Sequence, residues 1–204
     1  MTGGEHYFAP RDGLGHEYRE VKAHLRGREF SFLTDAGVFA KTGLDPGSRL
    51  LIEAMAVAEA DMVLDLGCGW GAMGLAAAAL ASRGRAYLVD INPRAVELAR
   101  ENARRNRLTN VDVRQGDGTA PLEGQRFDVV LLNPPVRAGK DVVHRLIAEA
   151  WAALVPGGSL WLVIRKQQGA ESLRRHLETL FVVERRARDQ GYHVLQAVRG
   201  SGGV

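Results

Sequence analysis

The sequence predicts an α/β fold in which a mostly parallel sheet carries helices on both faces. From Asp61 onward, short apolar runs alternate with longer amphipathic stretches, which is typical of parallel strands connected by helices. Five of these runs are predicted as strands, and two further strands are predicted in the tail, which makes a seven-stranded sheet. The predicted strands are residues 62–66, 85–90, 110–115, 127–133, 159–165, 180–188 and 191–199.

The chain length of 204 residues suits one main domain, which we place at residues 61–204, after an extension at residues 1–60. Alternating apolar residues over 20–34 predict a short β-hairpin in the extension. Asp45 followed by Pro46 predicts the start of a helix, because Asp caps free backbone N–H groups and Pro is favoured at the first helical position.

The first 18 residues have no hydrophobic period and predict a loose arm. Its aromatic side chains could dock on the rest of the protein; they are His6, Tyr7 and Phe8.

Composition narrows the class of protein. The longest apolar run, residues 75–81, is far shorter than the ~20 residues that cross a bilayer, and the start of the chain lacks the apolar core of a signal peptide. We therefore expect a cytoplasmic protein that does not enter membranes. A single cysteine, Cys68, offers neither an internal disulfide nor a zinc site, and we expect no metal. The net charge of +3 mildly favours anionic partners such as RNA.

A glycine-rich turn follows the first strand of the main domain. The strand VLDL runs into GCGWGAMG, and the order strand, glycine turn, helix is typical of nucleotide sites. Gly69, Gly71 and Gly74 match the spacing of dinucleotide enzymes, so an NAD-dependent oxidoreductase is one alternative. Asp65 opposes it, because its carboxylate would repel a pyrophosphate by several kcal/mol at an effective dielectric of about 20.

A cationic cofactor without phosphate fits these residues better, and S-adenosylmethionine is one. Asp90 ends the second core strand, where a carboxylate can accept both ribose hydroxyl protons, and Asp117 could accept a hydrogen bond from an adenine amino group. We expect Cys68 to be a small buried residue of the turn and not a nucleophile. The predicted cofactor-binding residues are Asp65, Gly67, Cys68, Gly69, Gly71, Asp90, Ile91, Asp117, Gly118 and Asn133.

The predicted catalytic residues are Asn133, Pro134 and Pro135, after the fourth core strand. The simplest interpretation is a turn, because a residue before Pro avoids helical geometry. Two successive prolines also fix the chain, so the carbonyls of Asn133 and Pro134, with the Asn133 side-chain oxygen, would form an acceptor site for an NH2 group. Such acceptors would aim the nitrogen lone pair at a methyl carbon and stabilise the positive charge that moves to nitrogen.

In this order and spacing, DLGCGWG, VDIN, GDG and NPP resemble the class I S-adenosylmethionine-dependent methyltransferases that modify amino groups. GVFAKTGLDPGSRLL, NPPVRAGK and VIRKQQGA look like the small-domain methyltransferase family, similar to bacterial 16S rRNA guanine-N2 methyltransferases of type C. The resemblance runs from about Tyr7 to the end of the chain. It implies a Rossmann-like fold, rRNA or the small ribosomal subunit as partner, a cofactor held by Asp65, Gly67, Gly69, Asp90 and Asp117, and a target amine held by Asn133 and Pro134.

The sequence departs from this family in two places. Many relatives have Phe or Tyr after NPP to stack on a flipped base, whereas this chain has Val136, and Phe39 is our predicted substitute. The rRNA enzymes of this type carry two such domains in tandem, so a homodimer could supply the second domain here. Arg137 and Lys140 follow the NPP turn and are predicted to contact phosphates beside the target nucleotide.

Methylation of rRNA guanine is thus the favoured hypothesis, and three alternatives stay open. They are an N-methyltransferase acting on protein glutamine or another amine, an NAD-dependent oxidoreductase, and a non-catalytic RNA-binding relative. The NPP turn opposes the oxidoreductase, because hydride transfer has no use for it. Intact Asp65 and Asn133 oppose the non-catalytic relative.

Overall fold

The computed structural model describes residues 15–200. Most of the predicted N-terminal arm, including His6, Tyr7 and Phe8, lies outside the described residues.

A seven-stranded sheet forms the centre of the described chain, and a separate two-stranded sheet precedes it. In chain order the strands are β1 (Arg19–Leu25), β2 (Arg28–Thr34), β3 (Met62–Leu66), β4 (Arg85–Asp90), β5 (Val111–Gln115), β6 (Phe127–Leu132), β7 (Leu154–Arg165), β8 (Val182–Asp189) and β9 (Tyr192–Val198). The large sheet has the order β5-β4-β3-β6-β7-β9-β8, with β9 antiparallel to β7 and β8 and the other pairs parallel. The predicted mostly parallel sheet and the N-terminal hairpin are confirmed.

Five α-helices accompany the strands in residues 15–200: α1 (Pro46–Ala54), α2 (Ala72–Leu80), α3 (Pro93–Arg105), α4 (Lys140–Ala153) and α5 (Ala170–Leu177). The predicted start of α1 is confirmed by its cap, and α3 begins with a cap of the same kind. Asp45 accepts a hydrogen bond from the backbone N–H of Ser48 at 2.8 Å, and Asn92 accepts one from the N–H of Arg94 at 3.0 Å.

Each face of the sheet buries its own layer of helices, because successive strand side chains point to opposite faces. On β6, Val129 and Leu131 join the apolar cluster that contains α1, α2, α3 and the hairpin. Val130 and Leu132 join the cluster that contains α4 and α5. The predicted arrangement of helices on both faces is therefore confirmed.

Strand β7 begins earlier than predicted, at Leu154 instead of residue 159. Leu154 lies opposite Phe127 and Ser159 lies opposite Val129, so the four intervening residues form an irregularity in the strand. Gly158 lies so close to β6 that a Cβ there would approach the Asp128 carbonyl oxygen to 2.9 Å. The glycine pair at 157–158 thus lets β7 start directly after α4, which ends at Ala153.

Two asparagines, Asn102 of α3 and Asn106 at the C-terminal cap of that helix, join the hairpin to the core. Asn102 accepts from the Leu33 N–H at 2.6 Å and donates to the Leu33 carbonyl at 2.9 Å. Asn106, one helical turn later, accepts from the Ser31 N–H at 3.0 Å and donates to the Ser31 carbonyl at 2.9 Å. The two amides satisfy the outer edge of β2 much as a neighbouring strand would. The sequence did not reveal this role, because only the apolar stripe and the arginines of α3 carry a recognisable pattern.

The strand order reverses beside β3. The chain passes from β3 to β4 and β5 on one side of the sheet and then crosses to β6 on the other side. In open α/β sheets the loops that leave such neighbouring strands diverge, and ligands bind in the crevice between them at the carboxyl ends of the strands. The loops after β3 and β6 are therefore where a functional site is expected.

Candidate active site

The glycine loop after β3 is open on the side where side chains would project. Gly67, Gly69 and Gly71 have positive φ values of 70°, 55° and 96°, a region that favours glycine. A Cβ built on Gly67 or Gly69 would meet no heavy atom within 4 Å. The N–H groups of Gly67 and Cys68 both donate to the Val89 carbonyl, at 2.8 and 3.0 Å, which anchors the loop to β4. A ligand can therefore approach the backbone of an otherwise fixed loop.

Asp90 connects this loop to the end of β4. Its Oδ2 accepts from the Gly69 N–H at 2.8 Å and its Oδ1 accepts from the Asn92 N–H at 2.9 Å. Burial raises the pKa of the Asp90 carboxyl, and the hydrogen bonds from Asn92, Gly69 and Ile91 oppose that rise. Ile91 itself is half-buried. A carboxylate offers about four acceptor positions, so Asp90 keeps some capacity to accept a further hydrogen bond.

Asp65, which lies two residues before the glycine loop, is wholly buried, with a relative exposure of 0%. Its Oδ2 accepts from the Gly74 N–H of α2 at 2.7 Å, whereas its Oδ1 is buried without a hydrogen-bond partner among the described residues. Burial and then the charge of Asp90 raise the pKa of Asp65 to about 7, while the Gly74 bond lowers it. A buried carboxyl with one unpartnered oxygen suits a nearby cation or N–H donor.

The thiol of Cys68 is buried in the loop, as the sequence predicted. Burial raises the pKa of this thiol well above its usual range, and the charges of Asp90 and Asp65 raise it further. Because the thiolate is the nucleophilic form of cysteine, this environment disfavours nucleophilic chemistry at Cys68.

Asp117 is engaged by a cation that the sequence did not indicate. Its Oδ1 accepts from Arg145 of α4 at 2.8 Å, and the Asp117 side chain is about half exposed, at 54%. The next residue, Gly118, is buried, and a Cβ there would collide with Glu149 of α4. Thr119 donates its N–H to Glu149 at 2.8 Å. The loop after β5 is therefore fastened to α4, with one Asp117 oxygen in an ion pair.

The NPP turn begins directly beside the glycine loop. Leu66 pairs with Leu132 in the parallel register of β3 and β6, so the next residues, Gly67 and Asn133, start two adjacent loops. Pro135 has φ −76° and ψ 70°, and the Val136 N–H donates to the Pro134 carbonyl at 2.8 Å, which is an inverse γ-turn. The sequence had suggested that the Pro134 carbonyl is free. The turn uses one of its lone pairs, and the other remains for a ligand.

The Asn133 side chain is held by its nitrogen. Nδ2 donates to Ser48 Oγ at 2.9 Å and to Asp45 Oδ2 at 3.2 Å. Oδ1 accepts no hydrogen bond from a described residue, and it is not among their fully buried, unpartnered atoms. The structure thus leaves the side-chain oxygen of Asn133 available, and the sequence had not identified Asp45 or Ser48 as its partners.

The loop before α1 contacts one side of the site and carries Phe39. The Trp70 indole donates to the Phe39 carbonyl at 3.1 Å, and Asn92 Nδ2 donates to the Gly37 carbonyl at 3.2 Å. The Phe39 side chain is 60% exposed. Val136 is half-buried and packs on the cluster of α4 and α5. Of the two residues, Phe39 offers the exposed aromatic surface.

Arg137 and Lys140 are exposed just after the NPP turn, and neither makes an ion pair with a residue in the range 15–200. In that same range, no three His, Cys, Asp or Glu side chains come together as metal ligands would. None of the described helices combines the length and the apolar character needed to cross a membrane.

A glycine loop with two acidic strand ends and an Asn-Pro-Pro turn, meeting where the strand order reverses, define an S-adenosylmethionine-dependent methyltransferase with a Rossmann-like fold. The family model described as Methyltransferase small domain matches residues 29–196, so the chain belongs to that family. The resemblance stated from the motifs is confirmed, and methyl transfer is favoured over the oxidoreductase alternative.

Three relatives are informative. The chain is 39% identical to the uncharacterized protein YbxB of Bacillus subtilis (strain 168), over 95% of this chain and 98% of that protein. It is 36% identical to ribosomal RNA large subunit methyltransferase G of Ectopseudomonas mendocina (strain ymp), over 79% of this chain and 43% of that enzyme. The structure of T. thermophilus 16S rRNA N2 G1207 methyltransferase, in complex with AdoMet and guanosine, matches with a TM-score of 0.80 and 29% identity, over 89% of this chain and 50% of that one. The chain thus spans half or less of these two rRNA enzymes.

Proposed function

We propose that this chain transfers the methyl group of S-adenosylmethionine to an exocyclic amino nitrogen, namely guanine N2 of ribosomal RNA. The observation that carries the proposal is the position of Asn133. Its amide nitrogen is held by Ser48 and Asp45, its oxygen is left available, and it stands next to the open glycine loop.

The glycine loop fits S-adenosylmethionine on two observations. The space over Gly67 and Gly69 is open to a ligand that contacts backbone, and the unpartnered oxygen of Asp65 favours a cationic group nearby. We assign the ribose hydroxyls to Asp90, whose oxygens keep acceptor capacity. The remaining proposed cofactor contacts are Gly71, Cys68, Ile91, Gly118, Asn133 and Asp117, the last with its oxygen that does not pair with Arg145.

S-adenosylmethionine supplies the methyl group and leaves as S-adenosylhomocysteine. The amino nitrogen of guanine is a weak nucleophile because its lone pair is delocalised into the ring. Asn133 Oδ1 and the remaining lone pair of the Pro134 carbonyl can accept hydrogen bonds from its two N–H groups. These bonds favour a pyramidal nitrogen aimed at the methyl carbon. The same acceptors stabilise the charge that nitrogen gains, and one proton then leaves to water. Pro135 keeps the turn rigid.

RNA is the proposed substrate because two relatives, matched over 79% and 89% of this chain, are rRNA methyltransferases by name. Arg137 and Lys140 follow the NPP turn directly and make no ion pair with a described residue. They are the proposed contacts to phosphates beside an extruded base. Phe39 is the proposed stacking partner of that base, in place of an aromatic residue at Val136. Since the relative bound to guanosine acts on 16S rRNA, we propose the small ribosomal subunit as the partner and the cytoplasm as the location.

Two organisational proposals accompany this function. We divide the chain into an extension, residues 1–60, and a methyltransferase core, residues 61–204, and the hairpin and α1 support this division because they pack on the core from one side. Because the chain spans half of the 16S enzyme, a second copy could supply a partner domain, and we propose a homodimer.

Calorimetric titration with S-adenosylmethionine, S-adenosylhomocysteine and NAD is the first test, followed by transfer of labelled methyl groups. The acceptors would be unmethylated 30S subunits, 50S subunits, free rRNA and a glutamine-containing protein extract, with Asn133→Ala as the matched inactive control. Label in N2-methylguanosine from 30S material supports the proposal. Label only in 50S material or in protein glutamine would show that the substrate is not the proposed 16S rRNA. Cofactor binding without any transfer would favour the non-catalytic relative.

A further inference from the structure

Helix α1 holds the side chain of the proposed catalytic asparagine, although 88 sequence positions separate Asp45 from Asn133. Asp45 Oδ2 accepts from Asn133 Nδ2 at 3.2 Å and also from the Ser48 N–H at 2.8 Å. Ser48 Oγ accepts from the same Nδ2 at 2.9 Å. Both hydrogens of the Asn133 amide are therefore used within the protein.

These contacts decide which way the amide faces. A side-chain amide can turn by 180°, which exchanges its donor and acceptor ends. A carboxylate only accepts hydrogen bonds, so the turned amide would place its oxygen against Asp45 Oδ2 and repel it. The pair of Asp45 and Ser48 therefore keeps Nδ2 towards α1 and Oδ1 away from it.

We propose that Asp45 and Ser48 are positioning residues for methyl transfer, which orient the Asn133 amide so that its oxygen meets the amino group of the target. The inference rests on the proposed function of Asn133 as an amine acceptor. It assigns to the N-terminal extension a part in the chemistry and not only in packing.

Helix capping alone does not account for this arrangement. A cap requires only that Asp45 accept from the Ser48 backbone. The hydroxyl of Ser48 adds nothing to that cap, yet it bonds Asn133 and is buried, with the residue 7% exposed. A buried hydroxyl and a capping carboxylate that converge on one amide are what a fixed catalytic geometry needs.

The second oxygen of the Asp45 carboxylate also has a partner within the protein. Tyr192 of β9 places its hydroxyl 3.5 Å from Asp45 Oδ1. The tyrosine ring covers Gly47 so closely that a Cβ there would lie 2.7 Å from two ring carbons. The Arg165 guanidinium lies over the Tyr192 ring, 4.6 Å from its centroid. Residues of β9 and of the end of β7 thereby support Asp45, which orients Asn133.

The chain offers a matched set of variants. Asp45→Asn keeps a capping oxygen and an acceptor for Asn133. Asp45→Ser keeps the cap, because Ser is an equally favoured capping residue, but its shorter side chain does not reach Asn133. Ser48→Ala removes the second acceptor at a helical position where Ala is well tolerated. Comparing Asp45→Ser with Asp45→Asn therefore separates the orientation of Asn133 from helix stability.

Single-turnover methyl transfer at saturating S-adenosylmethionine is the first readout. We expect Asp45→Ser and Ser48→Ala each to slow transfer by roughly tenfold, and Asp45→Asn to stay within roughly threefold of the unmodified protein. Cofactor affinity should change less than about twofold, and neither change should add to the loss in an Asn133→Ala background. Equal rates for Asp45→Ser and Asp45→Asn would overturn the proposal. So would weaker cofactor binding with an unchanged rate, which would make the pair a cofactor site.

A second readout does not depend on activity. In a ¹⁵N-labelled protein, the side-chain NH2 signals of Asn133, identified by their absence in Asn133→Ala, should be shifted and slow to exchange with solvent. Asp45→Ser and Ser48→Ala should abolish this protection, whereas Asp45→Asn should largely keep it. If no RNA is methylated but the protection behaves in this way, the proposed substrate fails and the orientation of Asn133 stands. Fast exchange in the unmodified protein overturns the inference itself.

Discussion

The carboxyl of Asp65 and the backbone of Gly74 join β3 to α2 at the candidate site. The two are joined by a 2.7 Å hydrogen bond, and a Cβ on Gly74 would lie 3.0 Å from the same oxygen and 2.6 Å from Leu88 Cγ. Glycine at this position therefore lets the helix N–H reach a carboxyl that is wholly buried. Because of that burial, the free energy of unfolding depends on whether Asp65 is protonated.

Stability should fall as pH rises because of Asp65. Its pKa is about 7 in the folded protein and 3.8 as an ordinary value, so between these pH values the folded state binds more protons than the unfolded state. The free energy of unfolding should therefore decrease by a few kcal/mol from about pH 4 to about pH 7, relative to Asp65→Asn, which does not titrate. Denaturant unfolding of both proteins across this range measures the difference. A difference that is constant, or that grows with pH in favour of the unmodified protein, would contradict the assignment.

Asp90→Ala should weaken the cofactor before it affects methyl transfer at saturation. The change removes the proposed ribose acceptor and the two backbone bonds to Gly69 and Asn92. We expect a roughly 10- to 100-fold higher dissociation constant for S-adenosylmethionine. Asp112→Ala is the matched control, because it also removes a carboxylate. Asp112 lies on the neighbouring strand β5 and pairs with Arg114. Calorimetry on both proteins decides, and equal affinities would refute the role of Asp90.

Asn133→Ala should show the opposite pattern. Because Asn133 is only one of several proposed cofactor contacts, cofactor affinity should change little. The rate of methyl transfer should fall by roughly 10²- to 10³-fold, the range found when one preorganised group at a reacting centre is lost. Binding by calorimetry and single-turnover kinetics on the same preparations give the two quantities. A loss of cofactor binding with a normal rate at saturation would exchange the roles of Asn133 and Asp90.

Arg137→Ala and Lys140→Ala should weaken RNA binding in a salt-dependent way. If each cation meets one phosphate, the slope of log affinity against log salt concentration should become shallower by about 0.7 for each change. Arg83→Ala is the control, since Arg83 pairs with Glu59 and precedes β4, at the other end of the strands. Filter binding over a salt series measures the slopes. Slopes equal to that of Arg83→Ala would show that Arg137 and Lys140 do not contact phosphates.

The proposed homodimer predicts a solution mass of about twice the 22.2 kDa of one chain. Light scattering at several concentrations, with and without S-adenosylmethionine, measures this mass. A single-chain mass under all these conditions would exclude the dimer and leave one domain to bind the RNA.

The sequence allowed the sheet, the hairpin and the two loops of the site to be predicted because each depends on a local pattern. Apolar runs, capping residues such as Asp45 and Asn92, and the Asn-Pro-Pro turn carry their structural preference within a few positions. The start of β7 was misplaced, because a glycine pair marks a turn in isolation and here occupies an irregularity against β6.

Contacts between distant residues could not be predicted. The ion pair of Asp117 with Arg145 and the bonds of Asn133 with Asp45 and Ser48 require a strand end and a helix to meet in space. No periodic pattern marks such residues, because a polar side chain in a loop or cap looks the same with or without a distant partner. Even the γ-turn bond to the Pro134 carbonyl depends on the ψ angle of Pro135, which proline itself does not fix.

Asn102 of α3 and Asn106 at its C-terminal cap limit how copies of this protein can pair with one another. An uncovered strand edge is a template on which a strand of another molecule can pair, and such pairing leads to aggregation. Because Asn102 and Asn106 occupy the N–H and carbonyl groups of Leu33 and Ser31, that edge of the hairpin is closed to strand addition. These two side chains thereby prevent strand pairing between copies along this edge of β2, and a homodimer must form without adding a strand there.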